Sequence, residues 1–498
     1  MLLLLYMKKY ILEIIVFICG ANLMIFELVG SRLLAPYLGS NIFVWSSIIG
    51  VILASLSVGY WLGGIISDKK ATNKGLSIII LFLAIAVGIN VFYKDVFLIL
   101  VSSIFNLKLG AIVASLALFS SSSILFGIIS PYVASLKLKK AKKVGSTVGN
   151  LYAISTAGSI FGTFLAGFFL IPKIGSANIL ILISSSLFLL AIISFLENKK
   201  YFKFILFFIF ALVIFKNFSK VKISASDVNE DIDTSYSRIF VYDIKNEEGE
   251  MVRVLRTNPG GVQSHMIVKD PTRMLTNYGE IYDLVEYFNP RFKKTLLLGG
   301  GGYSYPKHFL EKFKNATMDV VEIDPQMTEI SKKYFYLKEN PRMNIIHQDA
   351  RFFLNKNNSR YDAVFKDVFN SYHSIPFHLT TAELVRKEYD SLNDQGVIFV
   401  NIMASISGKD STFLNLEFNT YKSVFPDISL FKVTDMDDNS IQNIVLVAFK
   451  NKKDRSFFSE DKELQKTLDK KIEARFEIKN QILTDNFAPV DNNSGAIF

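Results

Sequence analysis

The spacing of apolar residues divides the chain into two different halves. Before about residue 218 there are six apolar runs long enough to cross a membrane, because a bilayer core of about 30 Å needs about 20 helical residues. The runs are 10–28, 43–66, 76–92, 110–136, 144–171 and 177–195. Residues 1–219 are therefore predicted to form an all-α polytopic membrane domain.

A seventh apolar stretch, 204–215, determines on which side of the membrane the second half would lie. Its 12 residues make a helix of roughly 18 Å, shorter than a span, and lysines flank it at both ends. This pattern favours a re-entrant or interfacial segment. The alternative is a crossing completed by snorkelling lysines, which would put the second half outside the cell.

Basic residues are unevenly distributed among the predicted loops. The N-terminus and the loops near 68–75, 137–143 and 199–203 hold thirteen lysines, whereas the alternate loops hold only four basic residues. Because cytoplasmic loops are enriched in Lys and Arg, the N-terminus and the even-numbered loops are predicted to be cytoplasmic. With 204–215 not crossing, the protein is expected in the cell membrane with its second half in the cytoplasm.

The net charge of +10 does not indicate nucleic-acid binding. Residues 1–218 carry 18 Lys and Arg against 5 Asp and Glu, whereas the remainder carries 37 against 40. A nucleic-acid-binding domain would be expected to be basic, but here the half with the composition of a globular protein is mildly acidic. We therefore expect no nucleic-acid partner.

The second half alternates strand and helix signals. Short strands near 236–243 and 251–255 predict a small β-hairpin domain within 220–290. Strands are then predicted at 295–298, 318–323, 343–347, 361–365, 396–402, 428–432 and 442–449, with helices near 304–313, 325–335, 350–355 and 379–391. Continuous apolar strands alternating with helices are typical of a parallel sheet covered on both faces. Residues 291–498 are thus predicted to form a Rossmann-like domain.

Glycines and carboxylates follow successive predicted strands. The segment 296–302 runs from a strand into four glycines, which let a backbone approach a ligand closely. Glu322 ends the next strand, about 20 residues on, where a carboxylate can accept both hydroxyls of a ribose. Asp349 ends the third strand, within reach of an adenine amino group, and Asp367 ends the fourth. These residues predict an adenosine-binding crevice at one edge of the sheet.

At these residues the sequence resembles the spermidine synthase (polyamine aminopropyltransferase) family, and most of all its members fused to an N-terminal membrane domain. Residues 26–39, 149–158 and 483–491 extend the likeness over nearly the whole chain. The resemblance implies a Rossmann-like, S-adenosylmethionine-dependent transferase fold that moves an aminopropyl group from decarboxylated S-adenosylmethionine to a polyamine-type acceptor. It also implies a homodimer and no tightly bound cofactor.

The resemblance assigns roles to individual residues. Asp367 would take the proton from the attacking amine, because an ammonium has no lone pair. The residues implied in donor binding are Gly299, Gly300, Gly301, Gly302, Glu322, Asp349, Ala350 and Gln263. The residues implied around the acceptor are Tyr278, Asn370, Tyr372 and His373. No metal is expected, because the five histidines lack metal-ligand spacing and there is one cysteine.

Three positions depart from the family pattern around the transferred amines. Gly302 stands where an acidic residue usually contacts the donor's amine, Asn370 replaces a second Asp, and Gly279 follows the cleft tyrosine. Two alternatives therefore stay open. One is a methyltransferase that uses intact S-adenosylmethionine, and the other is a membrane transporter or sensor with a degenerate ligand-binding domain.

Overall fold

A computed structural model describes residues 2–139, 141–195, 228–257, 262–275, 277–369, 375–473 and 481–490. The chain forms two compact units. The first contains residues up to Ala225 together with Ile232–Ser237, and the second contains Ser226–Asp231 and Arg238–Phe498. The apolar stretch 204–215 lies outside the described residues, so the prediction of a re-entrant segment stays a prediction, as do the three domain boundaries.

The first unit is built from long apolar helices. They are α1 (Leu2–Leu38), α2 (Ile42–Lys70), α3 (Asn73–Ile104), α4 (Leu107–Leu138), α5 (Val144–Leu165), a π-helical turn (Ala166–Leu170), α6 (Ile171–Ile174) and α7 (Ser176–Phe195). Within the described residues, six helical spans are long and apolar enough to cross a membrane. The six predicted runs are confirmed; five lie within one helix each, and 144–171 runs through α5 and the π-helical turn to the start of α6. The π turn precedes Pro172, which cannot donate the helical hydrogen bond.

Small residues let these helices approach at backbone distance. A side chain at Gly59 of α2 would lie 2.2 Å from the carbonyl oxygen of Ile124 in α4. A side chain at Gly158 of α5 would lie 2.1 Å from the carbonyl oxygen of Phe17 in α1. Both distances are far below van der Waals contact, so glycine is required at both positions. The glycine spacings in this half therefore serve helix packing.

Two ion pairs lie inside the helical unit. Glu13 of α1 forms an ion pair with Lys137 of α4. The ammonium of Lys94 lies 2.6 Å from the Asp95 carboxylate, which also accepts a hydrogen bond from the Tyr37 hydroxyl at 2.8 Å. Pairing lowers the cost of removing each charge from water.

The second unit begins with a small antiparallel sheet. Its strands are β1 (Val228–Asp233), β2 (Arg238–Lys245), β3 (Met251–Arg256) and β4 (Ser264–Ile267), in that spatial order. The sequence predicted only the central hairpin. The outer strands were missed because β1 is largely charged and β4 has four residues, so neither carries a clear apolar alternation.

An eight-stranded sheet forms the centre of this unit. Its strands are β5 (Lys294–Leu298), β6 (Thr317–Glu322), β7 (Met343–His347), β8 (Tyr361–Lys366), β9 (Leu392–Ala404), β10 (Asp427–Lys432), β11 (Gln442–Phe449) and β12 (Lys471–Ile472). The order is β12-β10-β11-β9-β8-β5-β6-β7, with β7, β6, β5, β8 and β9 parallel and the remaining pairings antiparallel.

Helices cover the two faces of this sheet. They are α8 (Tyr278–Tyr282), α9 (Val285–Phe288), α10 (Ser304–Lys312), α11 (Pro325–Tyr334), α12 (Ala350–Lys356), α13 (Ala382–Asp390), α14 (Thr412–Lys422) and α15 (Lys462–Leu468). One apolar core includes Tyr282, Phe365 and Phe399, and the other includes Val400 and Tyr421. The predicted Rossmann-like class is confirmed, although α8, α9, α14 and α15 were not predicted.

The strand order fixes where a ligand can bind. β5 lies between β6 on one side and β8 on the other. The chain therefore continues from β5 towards one edge of the sheet and from β8 towards the other edge. In such sheets a crevice opens beyond the carboxyl ends of the strands at this point. The glycine turn follows β5 and Asp367 follows β8, so both lie at that crevice.

Candidate active site

The turn after β5 depends on glycine in two different ways. Gly299 has a φ of +93°, and a side chain there would lie 2.1 Å from the carbonyl oxygen of Asp367. The Gly301 backbone is also left-handed, with a φ of +50°. The turn is therefore held against the end of β8 at backbone distance, which only glycine permits.

The last position of the turn faces the small sheet. The amide of Gly302 donates to the hydroxyl of Ser264 in β4 at 2.9 Å. Gln263 lies beside the same turn, with its side chain 4.0 Å from the position of a side chain at Gly301. Its amide oxygen accepts a hydrogen bond from the Thr257 hydroxyl at 3.3 Å. The glycine turn and Gln263 therefore lie together, as the resemblance implies.

Glu322, at the end of β6, points into the glycine turn. One carboxylate oxygen accepts hydrogen bonds from the amides of Gly300 at 2.8 Å and Gly301 at 3.1 Å, and the other accepts from Asp324 at 2.9 Å. Burial raises the pKa of Glu322, and these three amides oppose that rise by stabilising the charged form. The carboxylate is therefore fixed by backbone groups alone.

Asp349 follows β7 and caps the next helix. Its carboxylate accepts a hydrogen bond from the amide of Phe352 at 2.9 Å, which is the usual role of Asp at a helix N-terminus. Its second oxygen lies 3.2 Å from a ring nitrogen of His378. The adjacent Ala350 is buried in α12. The side chain remains about one-third exposed, so an adenine amino group could reach it.

Asp367 sits on the far side of the glycine turn from Glu322. Its carboxylate accepts a hydrogen bond from the Asn401 side chain in β9 at 3.0 Å and another from the Tyr278 hydroxyl. Burial raises the pKa of Asp367, and these two hydrogen bonds counteract the rise. A carboxylate with a raised pKa accepts a proton more readily, which suits a general base.

Grooves open beside Tyr278. One of about 320 Å³ is lined by Tyr278, Asn277, Thr434 and Gln442 among others. A larger one of about 1010 Å³ shares Asn277 and Thr434 with it, and its walls carry six acidic and three basic side chains. Tyr278, whose hydroxyl donates to Asp367, therefore lines a groove that adjoins a mainly acidic one, and an acidic surface favours a cationic molecule.

Sequence reasoning did not identify several side chains that complete this site. Asn401 lies in the middle of a buried strand, and nothing in its local sequence separates it from a structural amide. Arg351 pairs with Asp485 of the C-terminal segment and also donates to the carbonyl of His378 at 3.0 Å. Ser264 lies in a strand that was not predicted. Only long-range packing brings these residues to the crevice.

Three residues implied at the acceptor, Asn370, Tyr372 and His373, lie outside the described residues. Within the described part of the chain, no group of three or more His, Cys, Asp or Glu side chains is placed to hold a metal ion.

Comparisons with known proteins agree on one region. Residues 275–448 match the model of the spermine/spermidine synthase domain. A polyamine aminopropyltransferase from Vibrio vulnificus is 27% identical over 219 residues, which cover 41% of this chain and 71% of that protein. One from Saccharolobus solfataricus is 31% identical over 144 residues, covering 28% of this chain and 47% of that protein.

Solved structures also align with part of this chain. A probable spermidine synthase from Corynebacterium glutamicum aligns with 49% of this chain and 86% of its own, at 19% identity and a TM-score of 0.39. The family-model match covers the glycine turn, Glu322, Asp349 and Asp367. The resemblance to spermidine synthases is confirmed for this region, which matches the family model.

Proposed function

We propose that this protein is a membrane-anchored aminopropyltransferase of the spermidine synthase type. One observation carries the proposal. Within the matched domain, a half-buried carboxylate suited to be a base, Asp367, lies against a glycine turn whose other side is fixed by Glu322. This is the arrangement needed to hold a nucleoside donor beside an amine.

The donor side supports a nucleoside ligand. Glu322 would accept the ribose hydroxyls, Asp349 would accept the adenine amino group, and Gln263 would cover the turn. A carboxylate offers about four acceptor positions, and three backbone amides already use Glu322. Ribose binding would therefore exchange some glycine-turn contacts for hydroxyl contacts. The proposed co-substrate is decarboxylated S-adenosylmethionine.

The acceptor side supports proton removal from an amine. Asp367 would take a proton from the acceptor ammonium, which frees the nitrogen lone pair. That lone pair forms a bond to the donor carbon next to the sulfonium, the carbon–sulfur bond breaks, and its electrons neutralise the sulfur. Tyr278 and Asn401 would hold the base in place, and the acidic groove would attract a polyamine-type acceptor. Holding both reactants in line supplies much of the acceleration.

The test is turnover by the full chain in detergent micelles, with labelled decarboxylated donor and a panel of diamines and polyamines. Release of the thioether nucleoside together with a lengthened amine is the expected result. Nucleoside release without a lengthened amine would contradict aminopropyl transfer.

Methyl transfer from intact S-adenosylmethionine is the second candidate, and Gly302 is the observation that favours it. No carboxylate stands there to pair with the amine of the decarboxylated donor, and none repels the carboxylate of the intact one. Calorimetric titration with the two donors separates the candidates. Tighter binding of the decarboxylated donor supports aminopropyl transfer, and tighter binding of the intact donor supports methyl transfer.

A substitution sharpens that test. An Asp at position 302 would meet the Cβ of Ser264 at 2.7 Å, so Gly302→Asp is combined with Ser264→Gly. The added carboxylate should improve binding of the decarboxylated donor about tenfold, which corresponds to one charge-assisted hydrogen bond. Ser264→Gly alone is the control. No gain for the decarboxylated donor would show that the amine is not bound near this position.

We also propose a multi-pass location in the cell membrane with the catalytic unit in the cytoplasm, supported by the six apolar helices and the lysine-rich loops. A topology reporter fused after Lys222 tests it, and a signal from the outer side would overturn the placement. A homodimer, expected from the resemblance, is tested by mass measurement of the detergent-solubilised protein.

A further inference from the structure

A second group of charged side chains lies directly behind the proposed base, on the opposite face of the sheet. Lys366 immediately precedes Asp367, ends β8, and is fully buried. Glu388 of α13 and Glu417 of α14 are also fully buried. Lys366 pairs with Glu388, and Glu417 lies close enough to feel both charges, so two buried carboxyl groups face one buried ammonium. This is costly unless one of the carboxyl groups is neutral.

Lys366 connects three elements. Its ammonium donates to the carbonyl oxygen of Leu379 at 2.6 Å and to the Tyr421 hydroxyl at 3.0 Å, and it lies 2.8 Å from a carboxylate oxygen of Glu388. Two of its three N–H donors are used in hydrogen bonds, and the contact with Glu388 is an ion pair. The Tyr421 hydroxyl donates in turn to the other oxygen of Glu388 at 2.6 Å.

Leu379 ties this group to the active site. It belongs to the 3₁₀ turn Phe377–Leu379, in which His378 contacts Asp349. The backbone carbonyl of Lys366 is held on the other face of the sheet by the Tyr282 hydroxyl at 3.2 Å. The Lys366 side chain thus fastens the turn beside Asp349 to the strand end that presents Asp367.

Glu417 differs from Glu388 because neither of its carboxyl oxygens has a hydrogen-bond partner within the described residues. The titratable groups that face it are Lys366 from β8, Glu388 from α13 and Tyr421 from its own helix, with Tyr282 behind Tyr421. Burial raises the pKa of Glu417 to about 8, Glu388 adds to the rise, and Lys366 opposes it.

The geometry points to a positioning group made of Lys366, Glu388, Tyr421 and a protonated Glu417, which holds the turn 377–379 and Asp367 in their working arrangement and loosens when Glu417 loses its proton. With Glu417 neutral, one ammonium balances one carboxylate. With Glu417 ionised, a second carboxylate competes with Glu388 and the Leu379 carbonyl for the same ammonium. We call these four residues the Lys366 group.

The effect on turnover rests on the proposed function, whereas the effect on the turn 377–379 does not. The experiment therefore measures both on the full chain in detergent, for wild type, Glu417→Gln and a control, Glu339→Gln, at an exposed glutamate of the same unit. Glutamine keeps the shape of the protonated acid but cannot ionise. One readout is turnover from about pH 6.5 to about pH 9, and the other is hydrogen exchange of residues 375–381.

The expected result is a change with pH in the ratio of two turnover rates, that of Glu417→Gln and that of wild type. Turnover of Glu417→Gln relative to wild type should rise about tenfold between pH 7 and pH 9, since a group titrating near pH 8 is about nine-tenths ionised at pH 9. Taking the ratio cancels the titration of the acceptor and of Asp367. Hydrogen exchange of residues 375–381 should accelerate with rising pH more strongly in wild type than in Glu417→Gln. Glu339→Gln should behave like wild type.

A ratio that stays constant with pH, together with identical exchange in wild type and Glu417→Gln, would overturn the inference. If no variant turns over any donor, the proposed function fails and the exchange comparison still decides the inference. Should Glu417→Gln not fold, infrared spectra of wild type provide the test. Loss of a protonated carboxyl band near pH 8 supports the inference, and its absence at lower pH overturns it.

A double substitution, Lys366→Met with Glu388→Met, tests whether the Lys366 side chain holds the turn 377–379 against the end of β8. Replacing a buried ion pair by apolar side chains of similar volume is often tolerated. The variant should fold yet exchange residues 375–381 faster than wild type at all pH values. Wild-type exchange rates in a folded double variant would show that Lys366 does not hold the turn.

Discussion

Glu322 and Asp367 both follow parallel strands and flank one glycine turn, yet they are held by different kinds of partner. Within the described residues, the hydrogen bonds that Glu322 accepts come from the backbone amides of Gly300, Gly301 and Asp324. Asp367 accepts from the side chains of Asn401 and Tyr278. Backbone amides follow from the fold, whereas side-chain partners change with single substitutions.

This difference teaches which side of the crevice can vary. The donor side, formed by the glycine turn and Glu322, keeps its hydrogen bonds as long as the strand–turn–helix geometry is retained. The acceptor side depends on side chains that come from three separate elements. Among the described residues, the departures from the spermidine synthase pattern fall on both sides, with Gly279 beside Tyr278 and Gly302 in the glycine turn. A change of acceptor is therefore easier to reach by substitution than a change of the nucleoside part of the donor.

The largest expected effect tests the acceptor side. Asp367→Asn removes the base but keeps the shape and one acceptor oxygen, so turnover should fall by about 10²–10⁴-fold while donor affinity stays within about twofold. Steady-state kinetics and donor calorimetry measure the two. Asp394→Asn, at an exposed position of the same unit, is the control. Unchanged turnover would remove Asp367 from the mechanism.

The next effect tests the donor side. Glu322→Gln places an NH₂ group against the glycine amides and removes a charged acceptor for ribose, so donor affinity should fall by about 10–100-fold, equivalent to about 1.5–3 kcal/mol. Asp367→Asn should therefore lower turnover and leave donor affinity nearly unchanged, whereas Glu322→Gln should lower donor affinity. Glu329→Gln on the following helix serves as control. A loss of turnover with unchanged donor affinity would contradict the division of roles.

A smaller effect concerns the pH profile. Asp367 must be ionised to act as a base, and its pKa is raised by burial, so activity should be lost as pH falls through a range above that of an ordinary Asp. Asn401→Ala removes a hydrogen bond that lowers this pKa, so the acid limb should move to higher pH. Turnover near neutral pH should fall by no more than about tenfold. Asn344→Ala on β7 is the matched control, and an unmoved acid limb would contradict the assignment.

The smallest effect lies at the edge of the donor side. Arg351 lowers the pKa of Asp485, so the pair stabilises the fold above the ordinary Asp pKa, and that contribution is lost as pH falls. Asp485 is 40% exposed, so Asp485→Asn should cost only about 0.2–1 kcal/mol of unfolding free energy at neutral pH. Thermal unfolding with Asp454→Asn as control measures it. A much larger loss would mean that the 481–490 segment contributes more than this ion pair.

Much of this architecture follows from local patterns. The six apolar helices, the central strands and the chain positions of the glycine turn, Glu322, Asp349 and Asp367 could all be predicted. Local signals were sufficient because each depends on residues close in sequence: an apolar run, a strand period, or a turn followed by a carboxylate. The short helix 278–282, the edge strands of the small sheet and the partners of Asp367 were not predictable in this way.

By itself the sequence determined that a helical, apolar half precedes an α/β unit with glycines and carboxylates at its strand ends, because hydrophobic periodicity and strand-end residues are properties of short segments. Only the tertiary structure decided which side chains meet. Asn401 reaches Asp367 from a neighbouring strand, and Lys366, Glu388 and Glu417 converge from one strand and two helices. The physical reason is that the cost of a buried charge is set by its neighbours in space, and those neighbours lie up to tens of residues apart in the chain.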